Sequence, residues 1–146
     1  MHSLLLATHS VIRYFLLILL LILIVRSLMG WLNKSAYSKM DDKVSLGVFI
    51  LTHTQLLLGI ILFFVSPMVI FSGASMKDSV ARYWLVEHNT GMIIAIVLIS
   101  IARISLKKMI DPVAKHKRMF IFNSIALAII VLMIAQSHRG FFGITY

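Results

Sequence analysis

Four long apolar stretches, separated by short polar or basic segments, dominate the pattern of the chain. The first is uninterrupted from Tyr14 to Val25. Each stretch approaches the length of about 20 residues that an α-helix needs to cross a bilayer. The pattern predicts helices at about 4–29, 44–66, 84–106 and 119–138. We expect an all-α, integral membrane four-helix up-down bundle, formed by one transmembrane domain over residues 1–146.

The composition supports a membrane protein and excludes several other classes. Of 146 residues, 60% are hydrophobic and only 13% are charged, whereas soluble domains have about 25% charged residues. A soluble enzyme, a disordered chain and a nucleic-acid-binding domain are therefore excluded, despite the net charge of +9. The sequence contains no cysteine, which excludes disulfides, thiolate metal sites and iron–sulfur clusters.

The basic residues indicate the orientation of the chain in the membrane. Segments 26–43 and 103–118 together carry ten of the fourteen Lys and Arg residues. By the positive-inside rule, both segments face the cytoplasm and both termini face outward. Basic segments at this position also attract anionic lipid head groups.

Histidines occur once in each predicted helix, at His9, His53, His88 and His138. The predicted topology places three of them near the outer ends of their helices, and His53 about 15 Å deeper. Helices 1 and 3 start on the same side and lie diagonally in an up-down bundle, so His9 and His88 are expected to face each other. Two neutral imidazoles so placed are what a bis-histidine haem b requires.

Small residues near these histidines allow two interpretations. Gly91 and Ala95 follow His88 by three and seven residues, and Ala128 and Ala135 precede His138 on the last helix. They would leave room for a flat macrocycle. Alternatively, they are small residues that let membrane helices pack closely, and each histidine is an interfacial residue with a satisfied hydrogen bond.

Arginine residues on the outer side are candidates for binding haem propionates. Arg13 follows His9 by four residues and shares its helix face, while Arg82 and Arg139 lie near the outer surface. The alternative for Arg13 is that it pairs with Glu87 or extends to the interface. Glu87 itself could orient the adjacent imidazole or accept a proton from a quinol.

A polar cluster interrupts the second span at Thr52-His53-Thr54-Gln55. His53 is a candidate for a second ligand site, a quinone contact or a proton relay, and the alternative is interhelical hydrogen bonding. His116 lies within Lys115-His116-Lys117-Arg118 and is predicted to be solvated on the cytoplasmic side.

Several of these segments resemble a family of small bacterial four-helix membrane proteins commonly labelled cytochrome b-like. The similarity covers nearly the whole chain, and its informative positions are His9, His53, Gln55, Pro67, Glu87 and His88, with His138 outside the pattern. The segments are His9-Ser10, Thr52 to Gly59, Phe64 to Pro67, Leu85 to His88 and Met92 to Ile99. The resemblance implies haem. In a bacterial inner membrane, the outward termini predicted by the positive-inside rule would be periplasmic.

The leading hypothesis is a haem b-binding electron-transfer protein or respiratory-type subunit. His9 and His88 would be the axial ligands of the iron, Arg13 would lie near the propionates, and His53 or His138 would serve a second site or a quinone. Expected partners are the bilayer, a quinone, and other membrane proteins or further copies of the chain. The alternatives are a cofactor-free structural or assembly subunit of a larger complex, and a metal site without porphyrin built from His9, His88, His138 and Glu87.

Overall fold

The computed structural model describes residues 2–65, 82 and 86–136, which form four helices. They are α1 (His2–Asn33), α2 (Lys39–Val65), α3 (His88–Ser105) and α4 (Pro112–Gln136), and a 3-10 turn (Leu106–Lys108) continues α3. No strand occurs in these ranges, so the predicted all-α four-helix bundle is confirmed. Helix α1 packs against α2 and α4, and α3 packs closely against α4 and more loosely against α2. Helices α1 and α3 are therefore diagonal.

The outer surface of the bundle is apolar. Each of the four helices is long and apolar enough to cross a membrane. Large apolar side chains face outward, including Phe64, which is 70% exposed, and Leu57, which is 65% exposed. Such a surface is stable in lipid rather than in water. The chain is a multi-pass membrane protein.

Two helices begin earlier than the hydropathy pattern predicts. Helix α2 begins at Lys39 and α4 at Pro112, five and seven residues before their expected starts. Before α2, the Ser38 hydroxyl accepts a hydrogen bond from the Asp41 amide at 3.2 Å, and the Asp41 carboxylate accepts one from the Ser38 amide at 2.9 Å. This reciprocal pair is a capping box. Before α4, Asp111 caps the Val113 amide at 3.1 Å, and proline suits the first helical position.

Leucines of α1 form the centre of the apolar core. Leu20 is fully buried and Leu23 nearly so. They pack among small and branched side chains of the other three helices, namely Val48, Ala95, Ile99, Ala102, Ala126 and Ile130. Small residues at these positions allow the backbones of the helices to approach closely.

The buried face of α2 is mainly polar. Its core-facing residues include Asp41, Ser45, Thr52 and Gln55, which we call the α2 polar stripe. At 1.5 Å per residue it extends over about 21 Å, a large part of the roughly 30 Å hydrocarbon layer of a bilayer. Helix α2 therefore presents polar groups to the bundle and apolar groups to the lipid.

Some predicted features lie outside the described residues. They are the kink or helix end at Pro67, the outer loop 67–83 with its Ser72-Gly73-Ala74-Ser75 centre, and the outer residues His138 and Arg139.

Candidate functional site

His9 and Arg13 lie one turn apart on α1, on the helix face that enters the core. Both are half-buried. The same face continues through Leu16 and Leu20, which are buried, because residues spaced by three and four share one side of a helix. Ser10 beside them is also buried.

His88 is the first residue of α3 and continues the buried face of that helix. It is half-buried. Below it, the buried residues of the helix are Gly91, Ala95, Ile99 and Ala102. The spacing of three and four residues places His88 in line with them.

Two close contacts of α4 relate the depths of His9 and His88. Gly30 of α1 lies against His116, and Gly91 of α3 lies against Met133. His116 and Met133 are 17 residues apart, which corresponds to about 26 Å along α4. Arg13 lies 17 residues before Gly30 and is therefore displaced by the same distance along α1. Arg13 and Gly91 are thus at similar depth. His88 lies about 4.5 Å and His9 about 6 Å further along their helices in the same direction.

The space at Gly91, one helical turn from His88, is occupied by a side chain of α4. A Cβ atom at Gly91 would lie 2.6 Å from the Met133 sulfur atom. Gly91 therefore fits the alternative of close helix packing, and Ala95 is buried in the core. Ala128 and Ala135 are exposed and do not line the interior of the bundle, and His138, next to which they were predicted to leave room, lies outside the described residues.

Glu87 has a partner on its own segment of the chain. Arg82 Nε donates to Glu87 Oε1 at 2.7 Å, and both side chains are partly exposed. Arg82 is therefore paired with a carboxylate, and Glu87 has an ion-pair partner next to His88.

His53 is held in a defined tautomer by its own helix. Its Nδ1 lies 2.8 Å from the carbonyl oxygen of Phe49, and its ring lies against the Phe49 ring, with 4.1 Å between centroids and a tilt of 33°. A carbonyl only accepts hydrogen bonds, so Nδ1 carries the proton and Nε2 carries a lone pair in the neutral ring. Thr52 and Thr54 also donate to carbonyls of α2, at 2.9 Å each. These hydrogen bonds of Thr52 and Thr54 therefore lie within α2, and not between helices as the alternative predicted.

A groove between α2 and α3 is lined by His53. Its volume is about 310 Å³, and its other polar lining residue is Ser100. The remaining lining side chains are apolar, namely Leu56, Ile93, Ile96, Val97, Ile101 and Ile104. The groove is open at the surface of the bundle, and its lining favours an apolar ligand.

His116 is buried, and the prediction that it is solvated is wrong. It is 1% exposed, and its Nε2 lies 3.2 Å from the carbonyl oxygen of Ala36, to which it donates. The Tyr37 ring lies 5.3 Å from the imidazole centroid. Helical periodicity brings His116 to the inner face of α4, although cations flank it in the sequence.

Further polar contacts lie at the same end of the bundle as His116, the end that carries linkers 34–38 and 106–111, which we call the basic end. Arg26 pairs with Asp41 at 3.0 Å. Arg103 Nη1 binds the Asp42 carboxylate at 3.2 Å and the Ser45 hydroxyl at 3.1 Å. Sequence reasoning missed this network because it treated the basic segments only as topology signals.

Within the described ranges, no three His, Asp or Glu side chains group closely enough to hold a metal ion. His9, His88 and Glu87 thus do not form the metal site considered without porphyrin, and His138 lies outside these ranges. A haem needs only two axial ligands, so this finding does not bear on it. Comparisons with family models, curated proteins and solved structures found no match. The function must be inferred from the chemistry of the chain's own side chains.

Proposed function

We propose that the chain is a haem b-binding electron-transfer protein with His9 and His88 as axial ligands. The observation that carries this proposal is the common depth of two half-buried imidazoles on diagonal helices, each in line with a buried helix face. The bound haem would supply reversible one-electron chemistry, and the protein would supply its orientation and electrostatics.

The donor set suits this cofactor. Neutral imidazoles are common axial ligands, and Arg13 provides a cation one turn from His9 for a propionate. Haem binding requires space beside Gly91, where Met133 now packs. Methionine has three rotatable bonds and can repack more easily than a branched side chain.

His53 is the proposed contact for a quinone. Its Nε2 lone pair can accept a hydrogen bond from a quinol hydroxyl, since Nδ1 is committed to Phe49. The largely apolar lining of the α2–α3 groove suits a quinone ring. The proposed quinone is therefore a second partner, separate from the imidazoles of His9 and His88, and His138 remains a candidate for a second site.

The proposed orientation follows the charge distribution. The basic end would face the cytoplasm of a bacterial inner membrane, and the end with His9 and His88 would face the periplasm. Electrons would then pass between a membrane quinol and an acceptor on the outer side.

A cofactor-free structural or assembly subunit is the second candidate. The close packing of Met133 on Gly91 favours it, because the bundle is already filled one helical turn from His88. The broad apolar surface of the helices would then contact other membrane proteins as well as lipid.

A reduced-minus-oxidised spectrum distinguishes the two functions. The protein is produced with ample haem, purified in neutral detergent and reduced with dithionite. We expect sharp α and Soret bands that disappear in His9→Ala and in His88→Ala but persist in His53→Ala. Bands that survive both of the first two substitutions would move the ligands to other histidines. A flat spectrum of the folded wild-type protein would support the cofactor-free subunit.

A further inference from the structure

A second groove lies at the basic end, between α3 and α4. Its volume is about 400 Å³. Helix α3 and the following turn contribute most of its lining, and Arg118 reaches it from α4; the lining residues are Ile101, Ile104, Ser105, Lys108, Met109 and Arg118. We call it the basic groove. It combines two cations with apolar side chains, a combination that suits the boundary between lipid head groups and hydrocarbon.

The two cations of the basic groove are available to an anion. Arg118 lies over the Phe122 ring at 5.8 Å, a contact that orients the guanidinium without neutralising it. Lys108 is exposed at the end of the turn. The neighbouring cations of α4 lie elsewhere, with Lys115 over Tyr37 and Lys117 over Trp31, each at 5.7 Å.

The charge around the basic groove is strongly positive. Segment 103–118 has six Lys and Arg residues and one acidic residue, Asp111. Asp111 is exposed and caps the Val113 amide. The Ser105 hydroxyl already donates to the Ala102 carbonyl at 3.1 Å, so the groove attracts an anion chiefly through Lys108 and Arg118.

The apolar part of the basic groove continues along the membrane face of α3. Ile101 and Ile104 line both the basic groove and the α2–α3 groove, and both are exposed. From Lys108 to Val97 the surface rises by about 16 Å. A ligand with an anionic head and an apolar chain matches this succession, whereas a free anion would leave the apolar part unused.

We propose that the basic groove binds one anionic phospholipid, with its phosphate between Lys108 and Arg118 and an acyl chain along Ile104 and Ile101. Basic pockets between membrane helices are known to hold anionic head groups. Lipid binding at a specific site differs from a general attraction between anionic lipids and the basic end. Binding at the site depends on Lys108 and Arg118 more than on other cations at the same end. The proposal does not rest on haem binding.

Native mass spectrometry in neutral detergent tests the proposal. The wild-type protein is titrated with phosphatidylglycerol, and we expect one lipid to be retained. Lys108→Gln with Arg118→Gln should weaken its apparent affinity by about 30-fold. The matched control, Lys39→Gln with Lys43→Gln, removes the same charge from exposed positions of α2 and should change the affinity less than about twofold.

Further binding measurements distinguish an anionic phospholipid from other ligands of the basic groove. Phosphatidylcholine should bind more weakly, and millimolar inorganic phosphate should not displace phosphatidylglycerol. Equal losses in both double variants, equal binding of phosphatidylcholine, or displacement by phosphate would each overturn the proposal. If the first double variant does not fold, Lys108→Glu alone reverses the charge at an exposed position and should still abolish retention. Retention that survives Lys108→Glu would also overturn it.

Discussion

The buried imidazole of His116 on α4 covers the backbone of Gly30 on α1. A Cβ atom at Gly30 would lie 2.5 Å from both Cε1 and Nδ1 of that ring. His116 is fixed in turn by the Ala36 carbonyl oxygen, to which its Nε2 donates. The close approach of the two helices at the basic end therefore requires glycine at this position.

Replacing Gly30 with alanine should destabilise the bundle. The new methyl group would overlap a rigid, buried ring, and overpacking of this kind costs about 1–3 kcal/mol. Chemical unfolding in detergent, followed by helical circular dichroism, measures the change in unfolding free energy.

Gly59→Ala is the matched control, since apart from the nearby backbone of α2 no atom of the described residues lies within 4 Å of a Cβ atom at Gly59. Alanine has a higher helix propensity than glycine, so Gly59→Ala should leave the unfolding free energy unchanged or raise it by up to about 1 kcal/mol. In a double-mutant cycle, His116→Ala should relieve the overlap, so Gly30→Ala should cost less in that background. An equal cost in both backgrounds would contradict the close contact between Gly30 and His116.

The number of helices and their order could be predicted from hydropathy because the bilayer demands long apolar helices. The starts of α2 and α4 could not be predicted from hydropathy, because polar residues determine them. Ser38 and Asp41 form a capping box, and Asp111 caps α4. Ser38, Asp41 and Asp111 all lie outside the apolar stretches of the sequence. Capping signals in the sequence would have corrected both helix starts.

The burial of His116 could also have been predicted from the spacing of residues on α4. His116, Asn123 and Ile130 are seven residues apart, and all three are buried on α4. The adjacent cations obscured this helical period. In contrast, the packing of Met133 on Gly91 could not be predicted, because hydropathy does not show which side chain of a distant helix fills a given space. The haem ligands themselves remain a prediction.

Removing the Asp41 side chain should weaken the start of α2. Its carboxylate accepts bonds from the Ser38 amide and hydroxyl at 2.9 Å each, and from Arg26 at 3.0 Å. Loss of a helix cap costs about 0.5–2 kcal/mol, so we expect Asp41→Ala to lower the unfolding free energy by an amount near the upper end of this range.

Asp42→Ala is the neighbouring control for that measurement. Its carboxylate is largely exposed and pairs with Arg103 at 3.2 Å, and exposed ion pairs contribute about 0–1 kcal/mol. Unfolding of both variants under one set of conditions should therefore show the larger loss for Asp41→Ala. Equal losses would mean that the capping box contributes little to stability.

The linker residue Tyr37 should make stability depend on alkaline pH. Burial raises the pKa of Tyr37 above its ordinary value of 10.0, and the charges of Asp42 and Asp41 add to the effect, while Ser45 and Arg103 oppose it. The unfolded chain therefore loses this proton at lower pH than the folded chain. The stabilisation from a protonated Tyr37 is complete below about pH 10 and is lost as the pH rises through the folded pKa.

Tyr37→Phe should remove this part of the alkaline decline, because phenylalanine keeps the ring but has no proton to lose. Unfolding free energies of the wild type and the variant, measured between about pH 8 and pH 11.5, should differ progressively above about pH 10. Lysine titration affects both proteins and cancels in the difference. Parallel curves for the wild type and Tyr37→Phe would show that the linker tyrosine is not protonated more strongly in the folded bundle.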